Sequence, residues 1–511
     1  MSTAPAEYAE HGVPVPHGEA RTEAPRNTSG TIPLLLAAAF VVILNETIMA
    51  MALSRLMTDL RISPVTAQWL SAAFMLTMAV VIPITGFILQ RFNSRPVFMA
   101  AMGLFSLGTL LAVVSQGFPM LLVARIVQAS GTAIMLPLLM TSVLTLVPMA
   151  RRGRMMGNIT IVISVAPAIG PTVSGVILQW LSWRWIFGLV LPIALTMLVI
   201  GFFKMKNVST PRRLPLDVAS VILAAFGFGG LVYGLSKVGA GPNGVTMLMI
   251  SLTVGVVGLV AFVLRQLLLQ RRDAPLLDLR TFKQKTFSLS LGAMVISFAG
   301  LMGASILLPI YLQQVRGLPT LAAGLLMLPG GLAMGAMGPI VGRLYDRFGP
   351  RPLTIPGSLL VVVVMFGFSR ITASTPLGLL LALHITLMVG LGLLFTPLFT
   401  SGLNSLPPHL YPHGSALVGT LQQVGGAAGT ALLVTVMALG AAKAAATGVA
   451  KVPALTTGIQ TAMFIAAILS IGTLVLVTFL GKAPAGASHP GEGSEPDVMM
   501  TDASIEGIRA V

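Results

Sequence analysis

Fourteen stretches of this chain are apolar, and each is long enough to cross a lipid bilayer, which takes about 20 residues of helix. They lie near 31–53, 65–89, 95–116, 118–146, 155–178, 183–203, 216–236, 245–266, 286–312, 321–341, 352–370, 376–400, 414–439 and 458–481. In lipid every backbone N–H and C=O must find its partner inside the protein, so segments of this length and polarity predict transmembrane α-helices. The expected fold class is an all-α membrane protein. Only 9% of the residues are charged, against about a quarter in a soluble domain.

The formal charge of +16 does not point to nucleic acid, because the basic residues sit in short loops with no aromatic-interleaved patch. Their sidedness sets topology instead. With the N-terminus placed inside, the cytoplasmic loops hold eighteen Lys and Arg and the opposite loops eight. The even number of spans then returns the C-terminus to the cytoplasm. Residues 1–30 are polar, and the apolar run after them is too long for a signal-peptide core, so it is read as an uncleaved span. Residues 482–511 are rich in Gly, Ser and acids and read as a disordered cytoplasmic tail. With no cysteine, thiol catalysis and Cys-based metal sites are excluded. No P-loop or other enzyme signature is present, so the chain does not read as an enzyme, and no cofactor or metal is expected.

A repeat organises the spans. Gly86-Phe87-Ile88-Leu89-Gln90-Arg91-Phe92-Asn93-Ser94-Arg95 follows the second span, and Gly342-Arg343-Leu344-Tyr345-Asp346-Arg347-Phe348-Gly349-Pro350-Arg351 follows the tenth. Two six-span halves, 31–203 and 286–481, give both loops the same place in their half. Segment 204–285, with spans seven and eight, becomes an insertion. Parallel repeats of this kind mark transporters, with the substrate path between the halves.

The chain here resembles the major facilitator superfamily, in particular its fourteen-span drug:proton antiporters. The second-half loop is similar to that family's G-x-L-x-D-R-x-G-x-R pattern. Arg125-Ile126-Val127-Gln128-Ala129-Ser130-Gly131 resembles its R-x-x-Q-G-x-G, and Ala166-Pro167-Ala168-Ile169-Gly170-Pro171-Thr172-Val173-Ser174-Gly175 its antiporter segment. Trp183-Arg184-Trp185-Ile186-Phe187 and Leu308-Pro309-Ile310-Tyr311-Leu312-Gln313 resemble the fourteen-span branch. There are departures. The first span reads Leu44-Asn45-Glu46-Thr47 where many relatives have L-D-x-T, which moves the acid about 100° around the helix. Gln90 stands where the loop motif has Asp, and Ala129 and Ser174 replace glycines.

Glu46 is the one carboxylate inside a span, and Arg125 the one Lys or Arg well inside a span. An ionisable group at that depth is costly and marks a functional site by default. Both residues lie roughly 10 Å below the outer surface at 1.5 Å per residue, and the family fold places their helices in one bundle. Burial favours the neutral form of a carboxyl and a nearby Arg the ionised form. Their balance suits a reversible proton carrier, with Arg125 as fixed charge and Gln128 sharing its hydrogen bonds. The alternatives are a permanent ion pair that joins two helices and a counter-ion for substrate with no proton role.

Further expectations follow from the resemblance. Asp346 and Arg347, with Arg351, latch the inner gate, and Arg91 and Arg95 with Gln90 form a weaker copy. Simple retention of positive loops inside is the alternative. Asp346 is read at the start of span eleven, meeting helix N–H groups and flanking Arg. Gly170, Pro171 and Gly175 make a bendable helix or a tightly packed one. Asn45, Thr47, Gln313, Gln422 and Gln423, with Tyr311 as a ring, are read as lining a substrate cavity, although each alone equally suits a helix–helix hydrogen bond. The reading is a proton-coupled exporter of amphipathic small molecules in a bacterial inner membrane, its partners being those molecules, protons and lipid, and its state a monomer. A dedicated exporter of one metabolite or self-made antibiotic, and a non-transporting sensor or scaffold, are the alternatives.

Overall fold

The computed structural model describes residues 30–62, 64–208, 211, 217–236, 241–272 and 275–481. The tails expected at 1–30 and 482–511 therefore fall outside the described residues, Gly30 excepted. The described residues contain fourteen helices long and apolar enough to cross a membrane.

The first six are α1 Thr31–Asp59, α2 Pro64–Arg91, α3 Ser94–Val113, α4 Phe118–Leu146, α5 Arg152–Trp180 and α6 Arg184–Lys204. Span seven, α7, starts at Val218–Ala224, passes through a π turn at Ala225–Gly229 and ends at Gly230–Ser236; α8 is Gly241–Gln270. The last six are α9 Lys285–Ile310, continued by a π turn at Tyr311–Val315, then α10 Thr320–Phe348, α11 Arg351–Phe368, α12 Leu377–Asn404, α13 Tyr411–Ala446 and α14 Lys451–Thr478. Several helices outrun their apolar stretch: α1 reaches Asp59 and α13 runs from Tyr411 to Ala446. The backbone ladder continues past the lipid boundary wherever water can take over the side chains.

Helices α1–α6 pack as one group and α9–α14 as another. Glycine sets the closest approaches, as small residues do where two helices meet in lipid. A Cβ on Gly108 would run into the backbone of Ala124 and Gln128, and one on Gly131 into that of Ala101 and Phe105, so α3 and α4 lie almost backbone to backbone. In the insertion, Gly227 meets Gly258 and Leu259, and Gly230 meets Gly255. The two groups meet along α5 with α10 and along α2 with α13.

Candidate functional site

The close packing of α3 on α4 creates a polar cradle around Arg125. Its side chain is 1% exposed. One guanidinium nitrogen, Nη1, donates to Gln128 Oε1 at 2.6 Å and to Asn45 Oδ1 at 3.3 Å. Gln128 Nε2 donates to Thr109 Oγ1 at 2.8 Å, and that hydroxyl donates to Phe105 O at 2.7 Å. The guanidinium carbon sits 4.0 Å from the centre of the Phe74 ring, where a cation meets the negative face of the π system. Four helices, α1 to α4, therefore hold this cation with neutral groups. Among the described residues, Arg125 Nε and Asn45 Nδ2 have no hydrogen-bond partner.

Glu46 follows Asn45 and points elsewhere on α1. Its side chain is partly exposed, and among the described residues it makes no hydrogen bond or ion pair. Arg125 is the charge that acts on it, through space rather than by contact. A buried cation in neutral company and a partly exposed carboxylate in its field are a different arrangement from a static ion pair.

Several expected cavity residues fall elsewhere. Asn45 is fully buried against Arg125 and does not line a cavity. Tyr311 is also fully buried, and its hydroxyl donates to Thr372 O at 2.6 Å, so it ties α9 to the loop after α11 and is no cavity ring. The signal for Asn45 was present in the sequence: it occupies the place of the acid in L-D-x-T, which is where Arg125 reaches. Thr47 bonds its own helix at Leu44 O, 2.9 Å away, and packs against Gly170, where a Cβ would strike its side chain. That contact brings the antiporter segment of α5 within one residue of Glu46. Gly175, in contrast, has nothing within 4 Å of a Cβ. The helix from Arg152 to Trp180 is unbroken at Pro171, whose side chain lies outside the described set. Gln313, Gln422 and Gln423 are partly exposed.

The arginine-rich end is zipped shut between the two groups. Asp346, at the last turn of α10, accepts from Gly153 N at 2.8 Å and Arg154 N at 2.9 Å, so it caps the N-terminus of α5 in the other bundle. This corrects the expectation that it meets the start of its own span eleven and the Arg beside it. The geometry joins a carboxylate to the positive end of a helix, where charge-assisted N–H bonds are strongest. Beneath it, Gly153 abuts Gly342 and Gly157 abuts Gly338, with no room for a Cβ.

Sequence reasoning missed the rest of this seal. Arg152 Nη1 donates to Asn404 Oδ1 at 2.9 Å and Tyr411 Oη at 3.1 Å, both in the other bundle. The hydroxyls of Thr160 and Thr396 lie 2.7 Å apart. On the other seam, Gln90 Nε2 donates to His409 O at 2.9 Å, and a Cβ on Gly86 would come 3.0 Å from His413 Nδ1. In sequence Arg152 looks like any loop cation; only the approach of α12 and α13 singles it out.

The other expected latch residues do not cross between bundles. Arg95 donates to Phe202 O at 2.6 Å within its own bundle. Arg351 donates to Leu480 O and, at 3.3 Å, to Thr478 O. Arg347 lies 5.1 Å from the ring centre of its neighbour Phe348, and Arg91 is partly exposed at the end of α2. Arg95 and Arg351 brace the chain beside the seal; Asp346 and Arg152 make it. Among the described residues no group of His, Asp and Glu has the makings of a metal site.

Comparison with known proteins agrees with this architecture. The chain matches the Major Facilitator Superfamily over residues 35–430. It is 42% identical over 460 residues to the lincomycin resistance protein LmrB of Listeria monocytogenes, covering 88% of this chain and 97% of that one. It is 30% identical over 413 residues to a multidrug resistance protein B homolog of Mycobacterium tuberculosis, covering 80% of this chain and 75% of that one. The fold is similar to that of the human organic anion transporter MFSD10, with a TM-score of 0.63 at 14% identity over 88% of this chain and 99% of that one. The chain is thus a membrane transporter and not an enzyme, and it belongs to the major facilitator superfamily, in the fourteen-span branch that holds drug-resistance transporters.

Proposed function

We propose that this protein exports amphipathic small molecules, lincomycin-like antibiotics among them, in exchange for protons. The observation that carries this reading is Glu46: a carboxylate inside a span, partly exposed, free of hydrogen bonds to described residues, and in the field of a cation it does not touch. Such a group can take up and release a proton without breaking a structural bond. Arg125 stays charged in either case, and its neutral cradle keeps it in place while Glu46 titrates.

The arginine-rich end is the cytoplasmic end, by the sidedness of the loops. The seal at Asp346 and Arg152 is then a closed cytoplasmic gate. Opening it releases Gly153, Gly157, Gly338 and Gly342 from one another as the bundles at 31–203 and 286–481 rock apart. Thr47 and Gly170 couple α5 to the helix turn that carries Glu46. Gln422, Gln423 and Gln313 supply polar contacts to substrate. The protein works as a monomer in the bacterial inner membrane with both termini in the cytoplasm.

The test is uptake of lincomycin into inside-out vesicles or proteoliposomes with an acid interior, for wild type and Glu46→Gln. Wild type is expected to transport in proportion to the gradient, and Glu46→Gln to lose that dependence. Equal gradient-driven uptake by both would remove Glu46 from the coupling step.

A further inference from the structure

The two seams between the bundles are built differently. The seam of α5 with α10 has the carboxylate cap of Asp346, with two charge-assisted bonds at 2.8 and 2.9 Å. At the equivalent place in the first-half loop stands Gln90, which gives the seam of α2 with α13 one neutral bond, to His409 O. The inserted spans lie beside this weaker seam. Gly229 of α7 packs on Val80 of α2, with a Cβ position 3.5 Å from Val80 Cγ2. Tyr233 lies 5.5 Å from Trp69, ring centre to ring centre. The same segment, Gly230–Ser236, also packs against α13.

Depth decides what this contact can do. The chain enters α7 at the cytoplasmic end, so Gly230–Ser236 is its outer part, and Trp69 lies near the outer end of α2. In the cytoplasmic half, α2 meets α13 directly, Gly86 against His413 and Ile82 against Gly419. Farther out, α7 rests on both helices at once. Those helices belong to different bundles, and rocking changes the distance between their outer halves. A single helix resting on both cannot keep both contacts through that motion, so its packing favours the state in which it touches both.

The insertion is also tied down at its base. Arg265 of α8 holds Asp217, just before α7, with two bonds of 2.6 Å. Buried Gln266 donates to Ser220 Oγ at 2.7 Å and accepts from Leu276 N at 2.8 Å. The hairpin and the segment that leads from it to α9 are therefore one unit, able to transmit force.

We propose that spans seven and eight are a lateral clamp on the seam of α2 with α13, which favours the cytoplasm-closed state and makes up for the acid missing at Gln90. This rests on the alternating-access exporter reading above, but its test needs neither substrate nor gradient. A ligand-free population shift of this kind requires only differential contact between two states.

The chain has no cysteine, so single reporters can be placed at will. Ser415, 1% exposed and facing Thr141 across the closed gate, becomes the reporter as Ser415→Cys. Thr354, fully buried inside α11, is the folding control as Thr354→Cys. Labelling with a membrane-impermeant maleimide on inside-out vesicles reads gate opening. Tyr233→Ala and Trp69→Ala, each made separately, are expected to raise labelling at position 415 about fivefold while position 354 stays protected. Adding Gln90→Asp, which gives up the donor bond to His409 O and sets a carboxylate before the N-terminus of α13, is expected to return labelling toward the parent level. Unchanged labelling at position 415 in both clamp variants would overturn the proposal and leave the exporter reading intact. A rise that Gln90→Asp does not reverse would overturn the claim that the clamp replaces the acid. If one clamp variant exposes position 354 as well, the other decides.

Discussion

Arg125 donates to the amide oxygen of Asn45 at 3.3 Å, and the carboxylate of the next residue, Glu46, is left without a hydrogen bond among the described residues. A one-residue shift along α1 thus separates the position that touches the cation from the position that carries the acid. We predict that Asn45→Asp restores contact and harms coupling. The new carboxylate would pair with Arg125, and its charge beside Glu46 would oppose ionisation there. The pH of half-maximal efflux should move upward by about one unit, and the maximal rate should fall roughly tenfold. A pH profile of lincomycin efflux for the two proteins reads both. A superimposable profile would show that Arg125 does not set the proton affinity of the site.

The cap of Asp346 on α5 makes a second prediction. Asp346→Asn keeps the shape and removes the charge that the N-terminus of α5 attracts. Hydrogen bonds to a charged group contribute about 1.5–3 kcal/mol each, so losing the charge should shift the gate roughly tenfold or more toward open. Thr396→Cys, placed where Thr396 meets Thr160 across the seam at 2.7 Å, should then label faster from the cytoplasmic side. Arg347→Gln should leave labelling near the wild-type level, because that cation stays in its own bundle. If Arg347→Gln opened the gate as much as Asp346→Asn, the bonds to Gly153 and Arg154 would not be the latch.

Much of the fold was legible because lipid allows so few solutions. Fourteen apolar runs can only become helices, and the repeated loop after the second and tenth spans fixes which helices correspond. What one helix offers to another was less legible. Asn45 and Tyr311 looked like cavity residues because a polar group in an apolar span has two explanations, and periodicity does not choose between them. Neighbours do: Arg125 claims Asn45, and a loop carbonyl claims Tyr311. Asp346 was expected to meet the helix that follows it and instead caps α5, because the sequence shows the helix that follows and hides the helix that arrives from the other bundle. Arg152 was hidden for the same reason. Gly170 and Gly175 look alike in a motif, yet only Gly170 has a neighbour that forbids a side chain.

The base of the inserted hairpin has its own pH signature. The bidentate bond from Arg265, helped by Ser220, holds the Asp217 carboxyl well below the usual range, at about 2. A depressed acid adds stability that is present above its unfolded value, about 3.9, and is lost as pH falls through the folded value. We predict that wild type and Asp217→Asn differ in thermal stability by a constant amount from about pH 8 to about pH 5, and that the gap closes as pH falls below about 4. Melting curves in detergent across that range check it. The pair is partly exposed, at 40% and 19% of its side chains, so added salt should narrow the gap as well. A gap that closes near neutral pH would mean that another group carries the effect.

With one embedded carboxylate, the exchange has a ceiling that depends on the charge of the cargo. One proton entering through about 100 mV and about one pH unit releases roughly 2.3 and 1.4 kcal/mol from the two gradients. A neutral substrate draws on both and can be held at a gradient of several hundredfold. A monocation leaves as the proton enters, so only the pH part remains, worth about tenfold. A dication moves net charge against the membrane potential and loses roughly what the pH gradient gives, or more. We predict sustained export of neutral and monocationic amphiphiles and none of dications of similar size. Efflux from proteoliposomes, with the potential clamped by potassium and valinomycin, separates the cases: collapsing the potential should lower neutral export, leave monocation export unchanged and permit weak dication export. Dication export that persists against a full potential, with Glu46→Gln coupled as well as wild type, would require a second proton site in place of the single carboxylate.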